Sequence, residues 1–185
     1  PHSAISYASC AAEVEVDDET GVVTVTRLWQ CYDVGRSINP TLVEGQIEGG
    51  AVQGLGLGVL ENCYPYYPSV EHRGGRFGAY LVPGMEDMPQ IDTIIIENPS
   101  ADGPYGAKGI GEMANNAQPP AIATAVFDAV GVWVTELPIT PERVLRALQE
   151  KAAGEDGPSR SGKTVVFDAE LSVNARIAVN LGAPV

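Results

Sequence analysis

The sequence predicts an α+β domain in which an antiparallel hairpin and a mixed sheet pack against a glycine-rich helix and C-terminal helices. Two early segments alternate β-branched and polar residues, which is typical of half-buried strands. A long apolar segment then follows helical spacing, and the later segments complete the order β-β-α-β-α-β-α. With 44% hydrophobic and 19% charged residues in a chain of 185, the domain can bury a sizeable core.

The first two predicted strands form a hairpin. Residues 5–7 and 11–17 are predicted as strand, and an acidic turn that ends in glycine occupies residues 18–21. Residues 22–31 then carry β-branched side chains in alternation, which favours a second long strand that returns beside the first.

A glycine-rich helix is predicted next, over residues 41–64, after a favourable helix start at Asn39 and Pro40. Six glycines lie between Gly45 and Gly58, and each costs up to about 1 kcal/mol of helix propensity relative to alanine. Either close packing against the sheet or a bound ligand must offset that cost. The residues that recur at helical spacing, and so predict one small face, are Leu42, Gly45, Gly49, Val52, Gly56 and Val59.

The remaining elements of the domain are shorter. Residues 65–84 predict a turn-rich loop, and residues 98–104 predict a polar loop. Thr140 is a suitable N-cap for the last helix, and Pro141 suits its first helical position. The predicted strands are residues 91–97, which should be buried, and 132–135, and the predicted helices are residues 119–130 and 141–151.

Two appendages follow the domain, which is predicted to span residues 1–151. Residues 152–164 predict a polar linker, and residues 165–185 predict a β-hairpin extension. Within the linker, residues 157–164 match the phosphate-loop pattern G-x-x-x-x-G-K-[ST]. That motif binds phosphate between a buried strand and a helix. Here a polar segment precedes the motif and a strand-like segment follows it, so nucleotide binding is not predicted.

Charge and cysteine content exclude several classes of function. The net charge is −13 and the first 100 residues contain no lysine, which disfavours nucleic-acid or anionic-lipid partners. Three cysteines and two histidines cannot supply an iron–sulfur cluster, and they disfavour a zinc site. Unpaired cysteines favour a reducing, cytoplasmic compartment. No apolar run is long enough to span a membrane, and a start without Met or signal pattern suggests a fragment.

The segment of residues 106–112 combines three glycines with a single carboxylate, Glu112. Glycine lets the backbone approach a ligand closely. A loop-to-helix junction, which is predicted here, directs backbone N–H groups at its neighbour. Glu112 therefore has two interpretations. It is either a first-turn glutamate that offsets the helix dipole or a general base held beside a bound cofactor.

Several ordered blocks resemble the molybdenum hydroxylases, the family of xanthine oxidase and aldehyde oxidoreductase. Residues 106–112 are similar to the family's catalytic-glutamate loop. The other blocks are residues 10–17, 33–40 with the pattern DxGxxxNP, 45–56 with the pattern GQxxGxxxQGxG, and 137–144. The resemblance covers residues 1–150, and it corresponds to the C-terminal part of the molybdopterin-binding large subunit.

This resemblance implies roles for five residues. Glu112 would be the general base in a hydroxylation of an aldehyde or N-heterocycle, with water as the oxygen source, and partial burial would make it a better proton acceptor. Gln53 matches a glutamine whose amide contacts the cofactor, although a glutamine bonded to its own helix is the alternative. Lys108, Gly109 and Gly111 would approach the cofactor mainly through backbone, and the resemblance leaves the place of the Lys108 side chain open, with solvent as one alternative. No protein ligand to the metal is implied, because the pterin dithiolene holds it.

The resemblance also implies cofactors and partners. The cofactor would be molybdopterin, in its plain or cytosine dinucleotide form, and [2Fe–2S] and FAD groups would lie on partner domains or subunits. The upstream half of the molybdenum subunit would complete the site for a small-molecule substrate in an oligomeric enzyme of the cytoplasm or periplasm. A non-catalytic scaffold of the same fold is the alternative, and the glycine-rich context of Glu112 favours the enzyme.

Overall fold

A computed structural model of the chain describes residues 4–61 and 80–154, together with the backbone of residues 165–168 and 176–179. Three short 3-10 turns join the longer elements, at Met85–Asp87, Pro104–Gly106 and Glu112–Asn115. The strands and helices, in chain order, are β1 (Ala8–Val16), β2 (Val23–Asp33), α1 (Pro40–Val59), β3 (Gln90–Ile96), α2 (Gln118–Val130), α3 (Pro141–Ala152), β4 (Val165–Asp168) and β5 (Arg176–Val179).

A mixed three-stranded sheet confirms the predicted α+β class. β1 pairs antiparallel with β2, and β2 pairs parallel with β3, so that β2 is the central strand. The register of the hairpin shifts once, by a bulge between Glu13 and Val14.

The prediction that the third strand is buried is wrong. Ile94 and Ile96 are 50% and 46% exposed, whereas Ile95 between them packs against a core cluster that includes Ile47 of α1. Successive side chains of a strand point to opposite faces of a sheet. Within the described residues, the helices therefore cover only one face of this edge strand.

Both predicted helix starts are confirmed. The Asn39 side chain accepts a hydrogen bond from the Leu42 N–H at 3.2 Å, and Pro40 occupies the first turn of α1. The Thr140 side chain accepts one from the Arg143 N–H at 3.4 Å at the start of α3. Local capping chemistry thus determines where these helices begin.

The core lies where α1 and α2 pack on the sheet. Its fully buried side chains come from distant parts of the chain and include Leu28, Leu55, Ile122 and Val144. The predicted strand at residues 132–135 is absent, because this segment finds no ladder partner in the described part of the chain. Its alternation instead buries Val132 and Val134 in an extended segment.

β4 pairs antiparallel with β5, with Val165 opposite Val179 and Asp168 opposite Arg176, as expected for a hairpin in residues 165–185. Residues 170–173, the phosphate-loop pattern at 157–164 and both histidines lie outside the described residues. No helix in the described ranges is long and apolar enough to cross a membrane.

Candidate functional site

The turn that follows β2 is docked onto the glycine-rich loop. The Lys108 N–H donates to the Val34 carbonyl at 2.9 Å, and the Arg36 N–H donates to the Gly106 carbonyl at 2.9 Å. Gly35 has a φ of 65°, and a Cβ there would collide with the Gly106 carbonyl oxygen. Only glycine allows this turn and loop to approach so closely.

A buried ion pair reinforces the same junction. Lys108 Nζ lies 2.6 Å from Asp33 Oδ2, and both side chains are only 5% exposed. The Lys108 side chain, whose place the resemblance leaves open, is therefore buried and not in solvent. Desolvation raises the pKa of Asp33, but hydrogen bonds from Lys108, Gly35 and Asn98 outweigh it, so the pKa lies below its usual value.

A second contact holds the chain on the far side of Glu112. The Ala114 carbonyl accepts a hydrogen bond from Gln118 Nε2 at 2.7 Å, and the Tyr32 hydroxyl lies 3.1 Å from the same oxygen. Gln118 Nε2 also donates to Gln30 Oε1 at 2.9 Å. All of these side chains are fully buried, and burial raises the pKa of Tyr32 to about 12. The network therefore remains neutral at physiological pH.

Glycines of α1 allow the turn Glu112–Asn115 to pack closely on the helix. A Cβ at Gly50 would collide with the Ala114 side chain, and one at Gly54 would collide with Gln118 Oε1 and lie 2.9 Å from the Asn115 carbonyl. The small packing face was predicted in the wrong place, because glycines occur on more than one side of the helix. The buried residues of α1 are Ile47, Gly50, Ala51, Gly54, Leu55, Gly56 and Gly58.

The opposite glycines of α1 are open. A Cβ at Gly45 or Gly49 would meet nothing within 4 Å, and the same is true of Gly109 and Gly111 in the loop. Within the described residues, the N–H groups from Gly109 to Gly111 donate no hydrogen bond. Exposed backbone with free donors can accept a large ligand that carries acceptor oxygens.

Glu112 begins a 3-10 turn and is exposed in this chain. The expected α-helix begins six residues later, at Gln118, so Glu112 does not offset the dipole of α2. Gln53 is also exposed, and its Oε1 lies 3.5 Å from Nδ2 of Asn115, the last residue of the Glu112 turn. The sequence-predicted residues Glu112 and Gln53 therefore lie on neighbouring elements, whereas the Lys108 side chain is directed into the protein. The partial burial expected for Glu112 is not provided by the described residues.

The buried residues that hold the Glu112 turn were not predicted. Tyr32 and Gln118 are 86 residues apart, and nothing in the pattern of either segment indicates that they meet. Asp33 belongs to a turn motif in the sequence. A charged residue at the end of a buried strand could also have marked it as a residue of the site. In the described part of the chain, no group of three or more His, Cys, Asp or Glu side chains could hold a metal ion.

Comparison with known proteins identifies the family. The family model of the molybdopterin cofactor-binding domain matches residues 1–89. A probable xanthine dehydrogenase subunit from Bacillus subtilis is 37% identical over 155 residues, which is 81% of this chain and 20% of that protein. The nicotine 6-hydroxylase large subunit of Paenarthrobacter nicotinovorans is 42% identical over 137 residues, covering 72% of this chain and 17% of that protein.

Comparison with solved structures indicates the same family. The aldehyde oxidoreductase of Desulfovibrio gigas superimposes with a TM-score of 0.71 at 34% identity, over 78% of this chain and 15% of that one. The chain thus spans a fifth or less of the length of the curated relatives that it matches. Sequence and fold together show that this chain belongs to the molybdenum hydroxylase family and corresponds to part of its large subunit.

Proposed function

We propose that this chain forms one wall of the active site of a molybdopterin-dependent hydroxylase, with Glu112 as its general base. The reaction would hydroxylate an aldehyde or N-heterocycle with oxygen from water. The observation that carries this proposal is the position of Glu112. Its exposed carboxylate lies on a turn anchored on both sides, beside open glycine backbone, and the last residue of that turn, Asn115, contacts Gln53. A general base needs such a fixed position to accept a proton in the transition state.

The open glycine surface fits a pterin cofactor. The Gln53 amide and the free N–H groups of Gly109 and Gly111 would bind acceptor atoms of the pterin, in its plain or dinucleotide form. When bound, the molybdenum cofactor would accept two electrons from the substrate. The pterin would hold the metal, so this wall needs only to bind the cofactor, to orient it and to accept a proton at a carboxylate oxygen of Glu112.

Further polypeptide would have to complete the site. Relatives of this chain are named as subunits of dehydrogenases and hydroxylases, and the chain corresponds to a fifth or less of their length. The rest of the large subunit would cover the open surface and exclude water from Glu112. Partner domains or subunits with [2Fe–2S] and flavin groups would carry the electrons away.

Substitution of Glu112 in the complete enzyme tests the proposal. Glu112→Gln keeps the size and polarity of the side chain but removes the proton acceptor, so turnover should fall about 10²–10⁴-fold with folding and molybdenum content unchanged. Gln53→Ala should instead lower cofactor occupancy. The measurement is the rate of enzyme reduction by substrate, per bound molybdenum.

Glu150→Gln is the matched control, because Glu150 is an exposed glutamate on α3. It should leave the rate unchanged. If Glu112→Gln keeps more than about half of the wild-type rate, Glu112 is not a general base, whose loss costs far more. Glu112 would then have a structural role in its turn and no role in proton transfer.

A further inference from the structure

Two adjacent residues at the end of β2 hold both ends of the segment that carries Glu112. Asp33, the last residue of the strand, binds the Lys108 ammonium at 2.6 Å. Tyr32, the residue before it, places its hydroxyl 3.1 Å from the Ala114 carbonyl oxygen. Between these two anchors lie residues 109–113, which include the open glycines and Glu112.

Both anchors are stronger than surface contacts of the same type. The Asp33–Lys108 pair is buried, so it is weakly screened by salt and its charged hydrogen bond is short. The Ala114 carbonyl is buried and is also bound by Gln118. Loss of Asp33 or Lys108 alone would leave the other charge buried and unpaired, and loss of the Tyr32 hydroxyl would leave the Ala114 carbonyl with one of its two contacts.

Lys108 uses its donors within the chain. Its backbone N–H donates to Val34 and its ammonium to Asp33, so neither is available to a cofactor in this conformation. The free N–H groups begin at the next residue, Gly109. The loop thus changes from anchored to open between Lys108 and Gly109.

We infer that Tyr32, Asp33 and Lys108 are positioning residues that act through Glu112, by restricting the motion of residues 109–113. This inference rests on the proposed role of Glu112 as the base. A base that is already fixed in position does not lose conformational freedom in each turnover. The anchors should therefore contribute to kcat and not to the KM for the substrate.

The test uses amide hydrogen exchange and steady-state kinetics of the complete enzyme. Tyr32→Phe removes only the hydroxyl, and the double variant Asp33→Asn/Lys108→Met removes the ion pair without leaving one buried charge unpaired. In each variant, exchange at the hydrogen-bonded amides of residues 108 and 114, which flank residues 109–113, should become about tenfold faster, which corresponds to the loss of one strong hydrogen bond. kcat should fall by a similar factor while KM and molybdenum content stay unchanged.

Arg27→Met is the matched control, because it breaks the Arg27–Asp92 ion pair, whose side chains are about one-third exposed. It should change neither exchange at residues 108 and 114 nor kcat. Unchanged exchange at these two amides in Tyr32→Phe and in the double variant would overturn the inference. A rise spread equally over α3 would also overturn it, because that would indicate general destabilisation.

The exchange measurement separates this inference from the proposed function. If Glu112 is not the base, Glu112→Gln keeps its turnover, whereas exchange at the amides of residues 108 and 114 still reports the anchors. If the double variant does not fold, Tyr32→Phe decides alone, because its ring still fills the core.

Discussion

Alanine substitutions at two adjacent glycines of α1 should change stability in opposite directions. Gly49 faces open space, and a Cβ there would meet nothing within 4 Å. A Cβ at Gly50 would collide with the Ala114 side chain and lie 2.8 and 2.9 Å from the carbonyl carbon and oxygen of Ala114. Both glycines lie in the interior of the same helix, so the gain in helix propensity is equal for the two substitutions.

The magnitudes follow from these contacts. Gly49→Ala should raise the free energy of unfolding by up to about 1 kcal/mol, the propensity difference alone. For Gly50→Ala, overpacking against backbone costs about 1–3 kcal/mol. Displacement of the Ala114 carbonyl also weakens its hydrogen bonds to Tyr32 and Gln118, which contribute about 1 kcal/mol each. After the propensity gain is subtracted, Gly50→Ala should lower the free energy of unfolding by about 1–3 kcal/mol.

Urea unfolding of the chain, followed by circular dichroism, measures both effects. With a slope of about 2 kcal/mol per molar urea, the midpoint for Gly50→Ala should fall by about 1 M, and that for Gly49→Ala should rise slightly. The reasoning is refuted if Gly50→Ala is as stable as Gly49→Ala. That result would mean that α1 and the Glu112 turn do not pack as closely as the structure shows.

Three further predictions concern acid stability, thiol reactivity and cofactor content. The pKa of Asp33 is lower in the folded chain than its ordinary value of 3.8. The Asp33 carboxylate therefore contributes fully to stability above about pH 4, and this contribution is lost as the pH falls through the pKa of Asp33 in the folded chain. Asp33→Asn should therefore lower stability at pH 7 and flatten its acid dependence, measured as urea midpoints from about pH 7 to about pH 2. Burial raises the pKa of Cys10 to about 12. Iodoacetamide at about pH 8 should therefore modify Cys10 much more slowly than the half-buried Cys31, which mass spectrometry would measure. Unfolding in urea should abolish this difference in rate. The chain purified alone should contain no stoichiometric molybdenum and should self-associate through its open glycine surface, as metal analysis and sedimentation would show. Stoichiometric metal in a monodisperse monomer would contradict this last prediction.

The sequence predicts the features that depend on local chemistry. The hairpin follows from the alternation of β1 and β2, and the starts of α1 and α3 follow from the cap residues Asn39 and Thr140. The resemblance to the molybdenum hydroxylases implies Glu112 and Gln53 as site residues, and the structure brings their elements together. Each of these inferences needs only residues that are close in the chain or a pattern of known spacing.

Features that depend on the position of an element in the fold were not predictable in the same way. Ile94 is exposed because, within the described residues, the helices cover only one face of β3, which its own apolar sequence cannot indicate. The packing face of α1 was ambiguous, because glycine occurs on both sides and carries no side chain to mark the core. The contact of Tyr32 with Ala114 joins residues 82 positions apart, so only the tertiary structure shows it.

The location of both anchors on one strand has a consequence for how the chain tolerates insertions. Tyr32 and Asp33 are successive residues of β2, so their side chains point to opposite faces of the sheet. A one-residue insertion inside the strand would shift its register, which would put Cys31 at the place of Tyr32 in the neutral network and direct the Tyr32 ring towards Lys108. Additional residues in the turn Asp17–Val22 would leave that register intact. The hairpin can therefore be lengthened at its tip but not along β2, and a tag or a domain inserted at that turn should leave the Glu112 loop undisturbed.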